Sequence, residues 1–144
     1  MRFLELAKTR LYGGGNYFVK HLEQGYKGWI VWDKGQHGLS MSDGELAYTS
    51  FDRALRIITM NRVELLKDGT MHPTQKPLAL FKKLLLEYSN ENDIILDPFL
   101  GSGTTAVACI KTNRNFIGIE KEKKYVDIAQ KRVDEELSQL KLTI

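Results

Sequence analysis

The residues best suited to chemistry lie in one short segment, Asp97 to Ala106, which reads DPFLGSGTTA. This segment follows an apolar run and precedes a helical pattern. Backbone N–H groups converge at such a strand-to-helix turn, and small residues let a ligand approach the main chain closely. The segment therefore predicts a ligand-binding loop.

Three interpretations of this loop compete. A phosphate loop is not supported, because Gly103 is followed by Thr104 and Thr105 and no lysine supplies the cation that phosphates need. A dinucleotide fingerprint fits better, since the spacing is Gly-x-Gly-x-x-Ala and Glu120 ends the next predicted strand, where an acid can bind ribose hydroxyls. A plain turn that joins a strand to a helix also fits. The glycines alone leave these last two interpretations open.

The elements around the loop form a βαβα pattern. Residues 94–96 and 116–119 are apolar runs that predict buried strands, and residues 104–111 have helical spacing. A long final helix is predicted from one apolar face. This face comprises Tyr125, Ile128, Ala129, Val133, Leu137 and Leu140. We therefore expect parallel strands joined by a right-handed crossover.

The sequence before the loop predicts one helix and three strands. Pro77 is placed to open the helix, whose apolar stripe should pack against the sheet. The stripe comprises Leu78, Phe81, Leu84, Leu85 and Tyr88. Strands are predicted at residues 29–32, 45–50 and 56–60 from their β-branched and aromatic content. The simplest architecture is an α/β fold with a mixed sheet, parallel towards the C-terminus and antiparallel towards the N-terminus.

Composition narrows the class of protein. The 144 residues, 42% of them hydrophobic, suffice for one domain with a core. No apolar run is long enough to cross a membrane, and Arg2, Glu5 and Lys8 interrupt any signal-peptide core. These features predict a cytoplasmic protein with no membrane partner. The net charge of +3 is compatible with a nucleic-acid partner but does not establish one.

Cysteine and histidine are too sparse for a disulfide or a metal site. Cys109 is the single cysteine, and His21, His37 and His72 are far apart in the sequence. A structural zinc needs four ligands at short, regular spacings. We expect no metal site, and a buried Cys109 in the helix after the glycine loop.

Three segments together resemble the bacterial and phage DNA amino-methyltransferases that act on adenine N6 or cytosine N4. His72–Pro77 reads HPTQKP, Asp97–Thr105 reads DPFLGSGTT, and Ile117–Glu120 reads IGIE, in the order found in that family. The first seventy residues match phage-type adenine methyltransferases more loosely. The matching segments there are residues 14–18, 28–34 and 42–51.

The resemblance implies S-adenosylmethionine as the cofactor and double-stranded DNA as the partner. The residues it assigns to the cofactor are His72, Thr74, Gln75, Lys76, Asp97, Pro98, Phe99, Gly101, Ser102, Gly103, Thr104, Thr105 and Glu120. Asp97 would accept from the ammonium group, Glu120 would take the ribose diol, and Phe99 would give an apolar flank. Two structural alternatives stay open. Lys76 could be a solvated lysine at a helix start, and Glu120 a carboxylate that stabilises a helix N-terminus.

The catalytic loop of that family does not occur in the sequence. Its [D/N/S]-P-P-[Y/F/W] motif accepts the amine hydrogens and stacks on a flipped base. Here Pro73, Pro77 and Pro98 are the only prolines and none is adjacent to another. Cys109 has no preceding proline, which argues against methylation of a cytosine carbon. We therefore predict no catalytic residue.

These observations predict an incomplete Rossmann-like methyltransferase domain over residues 1–144. Residues 1–71 would form the target-base side and residues 72–144 the cofactor half. The expected activity is site-specific adenine-N6 methylation, with this chain an N-terminally truncated member that is inactive alone. A second polypeptide or self-association would then complete its sheet. The alternatives are a non-catalytic DNA-binding or regulatory module and a nicotinamide-dinucleotide domain.

Overall fold

The computed structural model describes residues 11–13, 27–38, 40, 42–61 and 75–141. The chain divides into two compact units, residues 1–62 and 63–144. The predicted single domain with halves at 1–71 and 72–144 stays a prediction. No helix in the described part of the chain is long and apolar enough to cross a membrane.

The first unit contains a four-stranded sheet in the order β1-β3-β2-β4. Its strands are β1 (Leu11–Gly13), β2 (Ile30–Asp33), β3 (Gly44–Thr49) and β4 (Arg56–Thr59). β3 runs antiparallel to β1 and β2, whereas β2 and β4 are parallel. The three predicted strands are therefore confirmed within a residue at each end, and the sheet is mixed. β1 was not predicted.

Alternate side chains of β2 form the centre of this unit. Ile30 and Trp32 are 3% and 6% exposed, and Ile58 of β4 is 2% exposed. The indole N–H of Trp32 donates to the Met60 carbonyl over 2.9 Å, so its one polar atom is satisfied inside the core. Trp29 packs edge-on against Tyr48 with ring centroids 5.2 Å apart. Both tryptophans thus serve packing.

Asp33 closes the turn that leaves β2. Its carboxylate accepts from the Gly35 N–H at 2.8 Å and from the Thr59 hydroxyl at 3.0 Å. The Gly35 and Thr59 hydrogen bonds favour the ionised form and hold the pKa of Asp33 below its ordinary value. Residues 35–38, 40, 42 and 43 lie between β2 and β3 in the chain.

The second unit has the predicted order of helices and strands. It comprises α1 (Leu78–Tyr88), β5 (Ile94–Asp97), α2 (Thr104–Lys111), β6 (Asn115–Gly118) and α3 (Lys123–Lys141). β5 and β6 are parallel, with Leu96 opposite Ile117. They form a two-stranded sheet. The predicted βαβα unit is confirmed.

The core of the second unit lies on one face of this strand pair. Leu85, Ala108 and Cys109 are buried together, with Leu78, Phe81, Ile95 and Phe116 packed against them. Because side chains alternate along a strand, their neighbours Ile94 and Ile117 lie on the opposite face. They are 68% and 54% exposed. The helices α1 and α2 therefore cover one side of β5 and β6.

Arg114 joins the end of α1 to the start of β6. Its side chain is buried at 8% exposure. It donates to the Ser89 carbonyl at 2.8 Å, to the Ser89 hydroxyl at 3.1 Å and to the Thr112 carbonyl. A longer contact of 3.4 Å reaches the Leu85 carbonyl. Arg114 thus gives the carbonyl of Ser89, the C-cap of α1, a charged donor, and a cation is favoured at the C-terminus of a helix.

Replacing Arg114 by Met should lower the free energy of unfolding by about 2–4 kcal/mol, because buried carbonyls lose a charged donor. Urea denaturation followed by circular dichroism measures the change. Lys83→Met, an exposed site on α1, is the matched control and should stay within about 0.5 kcal/mol of the wild type. An Arg114 variant as stable as that control would contradict the assignment.

Candidate functional site

The predicted glycine loop runs from the end of β5 to the start of α2 and is tied to β6. The Leu100 N–H donates to the Ile119 carbonyl and the Ile119 N–H to the Asp97 carbonyl, both at 2.9 Å. Inside the loop the Gly103 N–H bonds the Leu100 carbonyl at 3.0 Å. These main-chain bonds fix the path of the loop across the ends of both strands.

Two glycines give the loop its shape. Gly101 and Gly103 have φ angles of 55° and 84°, in the left-handed region that favours glycine. Gly103 has a second requirement, because a Cβ there would lie 2.8 Å from the Cβ of Ala129 on α3. Gly103 is also the N-cap of α2 and supplies no side-chain cap. The first N–H groups of α2 therefore lack intrahelical acceptors, an arrangement that suits an anionic ligand.

Asp97 ends β5 with its carboxylate held by the loop. One oxygen accepts from the Thr105 hydroxyl at 2.6 Å, and the other accepts from the Phe99 N–H at 3.0 Å. An ionised carboxylate has about four acceptor positions. The two internal bonds therefore orient the group and leave it acceptor capacity for a cationic ligand.

Glu120 connects the loop to the start of α3. One carboxylate oxygen accepts from the Gly101 N–H and the other from the Glu122 N–H, each at 2.9 Å. A carboxylate before the first turn of a helix is also favoured by the helix dipole. This geometry agrees with the structural alternative for Glu120. Its role towards a ribose diol stays a prediction.

Gln75 and Ser102 are brought together from two separate sequence motifs. The Ser102 hydroxyl donates to the Gln75 side-chain oxygen at 3.0 Å, and the two residues are 3% and 9% exposed. Lys76 is half-buried and Pro77 is the fully buried N-cap of α1. The predicted residues His72 and Thr74 lie outside the described residues.

The remaining predicted residues differ sharply in exposure. Phe99 is 87% exposed at the tip of the loop, whereas Pro98 is half-buried. Thr104 and Thr105 are 7% and 5% exposed in the first turn of α2. The loop therefore presents an aromatic ring outward, while its threonines are buried.

One residue close to the loop was missed by sequence reasoning. Arg132 of α3 donates to the Ser102 carbonyl at 2.7 Å. It lies in a strongly charged stretch that is typical of a solvated helix face. Arg132 lies three residues after Ala129, which belongs to the predicted apolar face. This spacing puts both residues on the same side of the helix and is the pattern that could have identified Arg132.

Cys109 is inaccessible, as predicted. It is 0% exposed in the core, and the pKa of its thiol is raised from 9.0 to about 11. Burial is the largest cause, the charge of Asp97 also raises the pKa, and the charge of Arg114 opposes them. A thiol in this state is not a nucleophile near neutral pH. Among the described residues no group of three or more metal-binding side chains is found.

The arrangement of loop, helix and acid defines a Rossmann-like cofactor-binding domain. The sequence profile of a family described as DNA methylase, N6_N4_Mtase, matches residues 51–131. The crystal structure of the M1.HpyAVI-SAM complex aligns with a TM-score of 0.74 at 32% identity, covering 92% of this chain and 79% of that one. The chain therefore belongs to the N6/N4 DNA methylase family, as the resemblance predicted.

Two curated relatives match the chain in part. The Type II methyltransferase M.HpaI of Haemophilus parainfluenzae is 49% identical over 72 residues, which are 50% of this chain and 23% of that protein. M.HinfI of Haemophilus influenzae is 52% identical over 64 residues, which are 44% of this chain and 18% of that protein. The chain thus spans less than a quarter of the length of these relatives.

Cys109 should react with a thiol reagent only after unfolding. The shift of its pKa from 9.0 to about 11 lowers the thiolate fraction roughly a hundredfold at pH 8. Reaction of the native chain with Ellman's reagent should therefore be at least about a hundredfold slower than that of the guanidinium-unfolded chain. Equal rates in the two states would contradict the buried placement.

Proposed function

We propose that this chain binds S-adenosylmethionine at the loop from Asp97 to Thr105, as the cofactor half of a site-specific DNA adenine-N6 methyltransferase. The observation that carries the proposal is the geometry of the glycine loop. Main-chain hydrogen bonds fix the loop to Ile119, just after β6, and the Glu120 carboxylate accepts from its Gly101 N–H. The family membership supports it, and so does the match to M1.HpyAVI, whose structure was solved with the cofactor.

The charges of the loop suit the two ends of this cofactor. The Asp97 carboxylate, oriented by Thr105 and Phe99, would accept from the ammonium group. The uncapped N-terminus of α2 would receive the carboxylate of the same amino-acid moiety. Glu120, anchored on Gly101, would accept from the ribose hydroxyls. The exposed ring of Phe99 would cover an apolar part of the ligand.

The segment before α1 would close the methionine end of the site. Gln75 is already hydrogen-bonded to the loop through Ser102, and Lys76 follows it directly. His72 and Thr74 complete the set that the family resemblance assigns to the cofactor. The remaining loop residues of that set, Pro98, Gly103 and Thr104, would act by shape and main-chain contact.

The residues of this chain would bind and orient the methyl donor. When bound, the sulfonium of the cofactor supplies an electrophilic methyl group to a base amine. That amine is a poor nucleophile because its lone pair is delocalised into the ring, and the family activates it with a Pro-Pro-aromatic loop. No two prolines are adjacent in this sequence. We therefore propose that these 144 residues bind the donor without transferring its methyl group.

Double-stranded DNA is the proposed substrate of the complete site, and the cytoplasm is the proposed location of the protein. Methyl transfer would further require that a second polypeptide, or a second copy of this chain, add the missing part of the sheet. Ile94 and Ile117, on the face of β5 and β6 away from α1 and α2, are the exposed apolar residues such a partner would cover.

Self-association should be visible in sedimentation velocity as a concentration-dependent rise of the mean mass above 16.5 kDa. Ile117→Lys should shift the chain towards the monomer, because a buried interface would then contain an unpaired charge. Lys121→Glu, on an exposed site just beyond β6, is a charge-changing control expected to leave the mass unchanged. A monomer at every concentration would leave the second polypeptide as the proposed partner.

Cofactor binding is tested by calorimetry with S-adenosylmethionine. Glu120→Gln should weaken the affinity by about tenfold or more, because hydrogen bonds to a charged group contribute about 1.5–3 kcal/mol. Glu91→Gln, an exposed glutamate before β5, is the matched control and should bind like the wild type. NAD should not displace the ligand.

Two results would overturn the proposal. One is the absence of saturable heat up to roughly millimolar ligand, which corresponds to about −4 kcal/mol of binding free energy. The other is tighter binding of NAD than of S-adenosylmethionine. Salt-sensitive DNA binding without cofactor binding would favour the regulatory DNA-binding module instead.

A further inference from the structure

Arg132 meets the glycine loop from the side of α3. It lies three residues after Ala129, the residue against which Gly103 packs. Its guanidinium nitrogen Nη1 donates to the Ser102 carbonyl at 2.7 Å and lies 3.4 Å from the hydroxyls of Ser102 and Thr104. One face of α3 therefore contacts the loop twice, by packing at Gly103 and by a cation at Ser102.

Ser102 is held on two sides by residues distant in sequence. Gln75, before α1, accepts from its hydroxyl at 3.0 Å, and Arg132 donates to its carbonyl. Ser102 lies between two glycines with left-handed φ angles, which place little restriction of their own on the chain. The orientation of the peptide unit between Ser102 and Gly103 therefore depends on these outside contacts together with the bond from the Gly103 N–H to the Leu100 carbonyl.

The bond from Arg132 also begins a chain of polarised main-chain hydrogen bonds. The peptide unit whose carbonyl accepts from Arg132 carries the Gly103 N–H, which donates to the Leu100 carbonyl. The Leu100 carbonyl belongs to the peptide unit that carries the Gly101 N–H, which in turn donates to the Glu120 carboxylate at 2.9 Å. Bonds connected in this way strengthen one another. A change at Arg132 should thus be felt along the whole loop.

We propose that Arg132 is a positioning residue, which holds the Ser102 carbonyl towards α3 so that the first N–H groups of α2 are ordered for the carboxylate of the cofactor. The identity of that ligand rests on the function proposed above. The ordering of the loop is a property of the chain alone and can be measured without ligand.

The test compares variants at Arg132 by calorimetry with S-adenosylmethionine and by hydrogen exchange of the peptide covering residues 98–107. Arg132→Met removes charge and donors at similar length, and should weaken binding about tenfold to a hundredfold, the range for a lost charge-assisted bond. Exchange in the loop peptide should be faster by about tenfold, with the peptides of β2 and β3 unchanged. Arg132→Lys should restore most of both properties.

Lys131→Met is the control, since Lys131 is exposed and paired only loosely with Glu135 at 3.8 Å. It should match the wild type in both measurements. Wild-type affinity of the Arg132→Met variant, or unchanged exchange of its loop peptide, overturns the inference. Should that variant fail to fold, Arg132→Lys and Arg132→Gln decide: tighter binding and slower loop exchange in the lysine variant support the inference, and equal values overturn it.

Failure of the proposed function has a different outcome. If the wild type does not bind S-adenosylmethionine, that function is overturned while the exchange measurement still decides the role of Arg132. Faster exchange of the loop peptide in Arg132→Met, but not in Lys131→Met, then supports the positioning role of Arg132. Unchanged exchange in Arg132→Met overturns that role.

Discussion

The second unit depends on the hydrogen bonds that fasten the glycine loop to β6. Leu100 and Ile119 act in this role through their main chains, with the Leu100 N–H 2.9 Å from the Ile119 carbonyl. Main-chain bonds are insensitive to side-chain identity, so the loop can keep its path while its side chains serve a ligand. That path requires the left-handed φ angles of Gly101 and Gly103. The close approach of α3 at Ala129 then follows from the missing side chain of Gly103.

The charged residues around the loop act first on the protein itself. Asp97 and Glu120 each accept two internal hydrogen bonds, which come from the loop or from the start of α3. Such bonds already restrict the rotamers of these side chains, so that less conformational entropy would be lost when a ligand binds to them. The acids that the family assigns to the cofactor are thus ordered in advance. Pre-organisation of this kind favours affinity without adding a contact.

The sequence predicted most of the second unit because its signals are local. The helix over residues 104–111 is found with the predicted bounds, and β5 differs only by the addition of Asp97. β1 was missed because its three residues end in glycine and carry no alternation. The burial of Leu80 was also missed, since it lies off the predicted stripe. Arg114 could not be found from local pattern, because it acts on Ser89, 25 residues away. The spacing of Arg132 from Ala129 could have placed it on the apolar side of α3, but not on the Ser102 carbonyl 30 residues away. The motif residues were found through family resemblance, and their spacing alone left the choice of ligand open.

The contacts of Arg114 have a consequence for the order in which the chain acquires structure. Its bonds to Ser89 cross 25 residues of sequence, so the Ser89 carbonyl at the end of α1 gains its charged donor only when the start of β6 is in place. Closing such a loop costs chain entropy before the bonds form. During synthesis α1 therefore leaves the ribosome with only its local cap, in which Ser89 bonds the Leu85 carbonyl. The glycine loop and α2 lie between these partners in sequence, so the loop and the end of α1 should become fully ordered together.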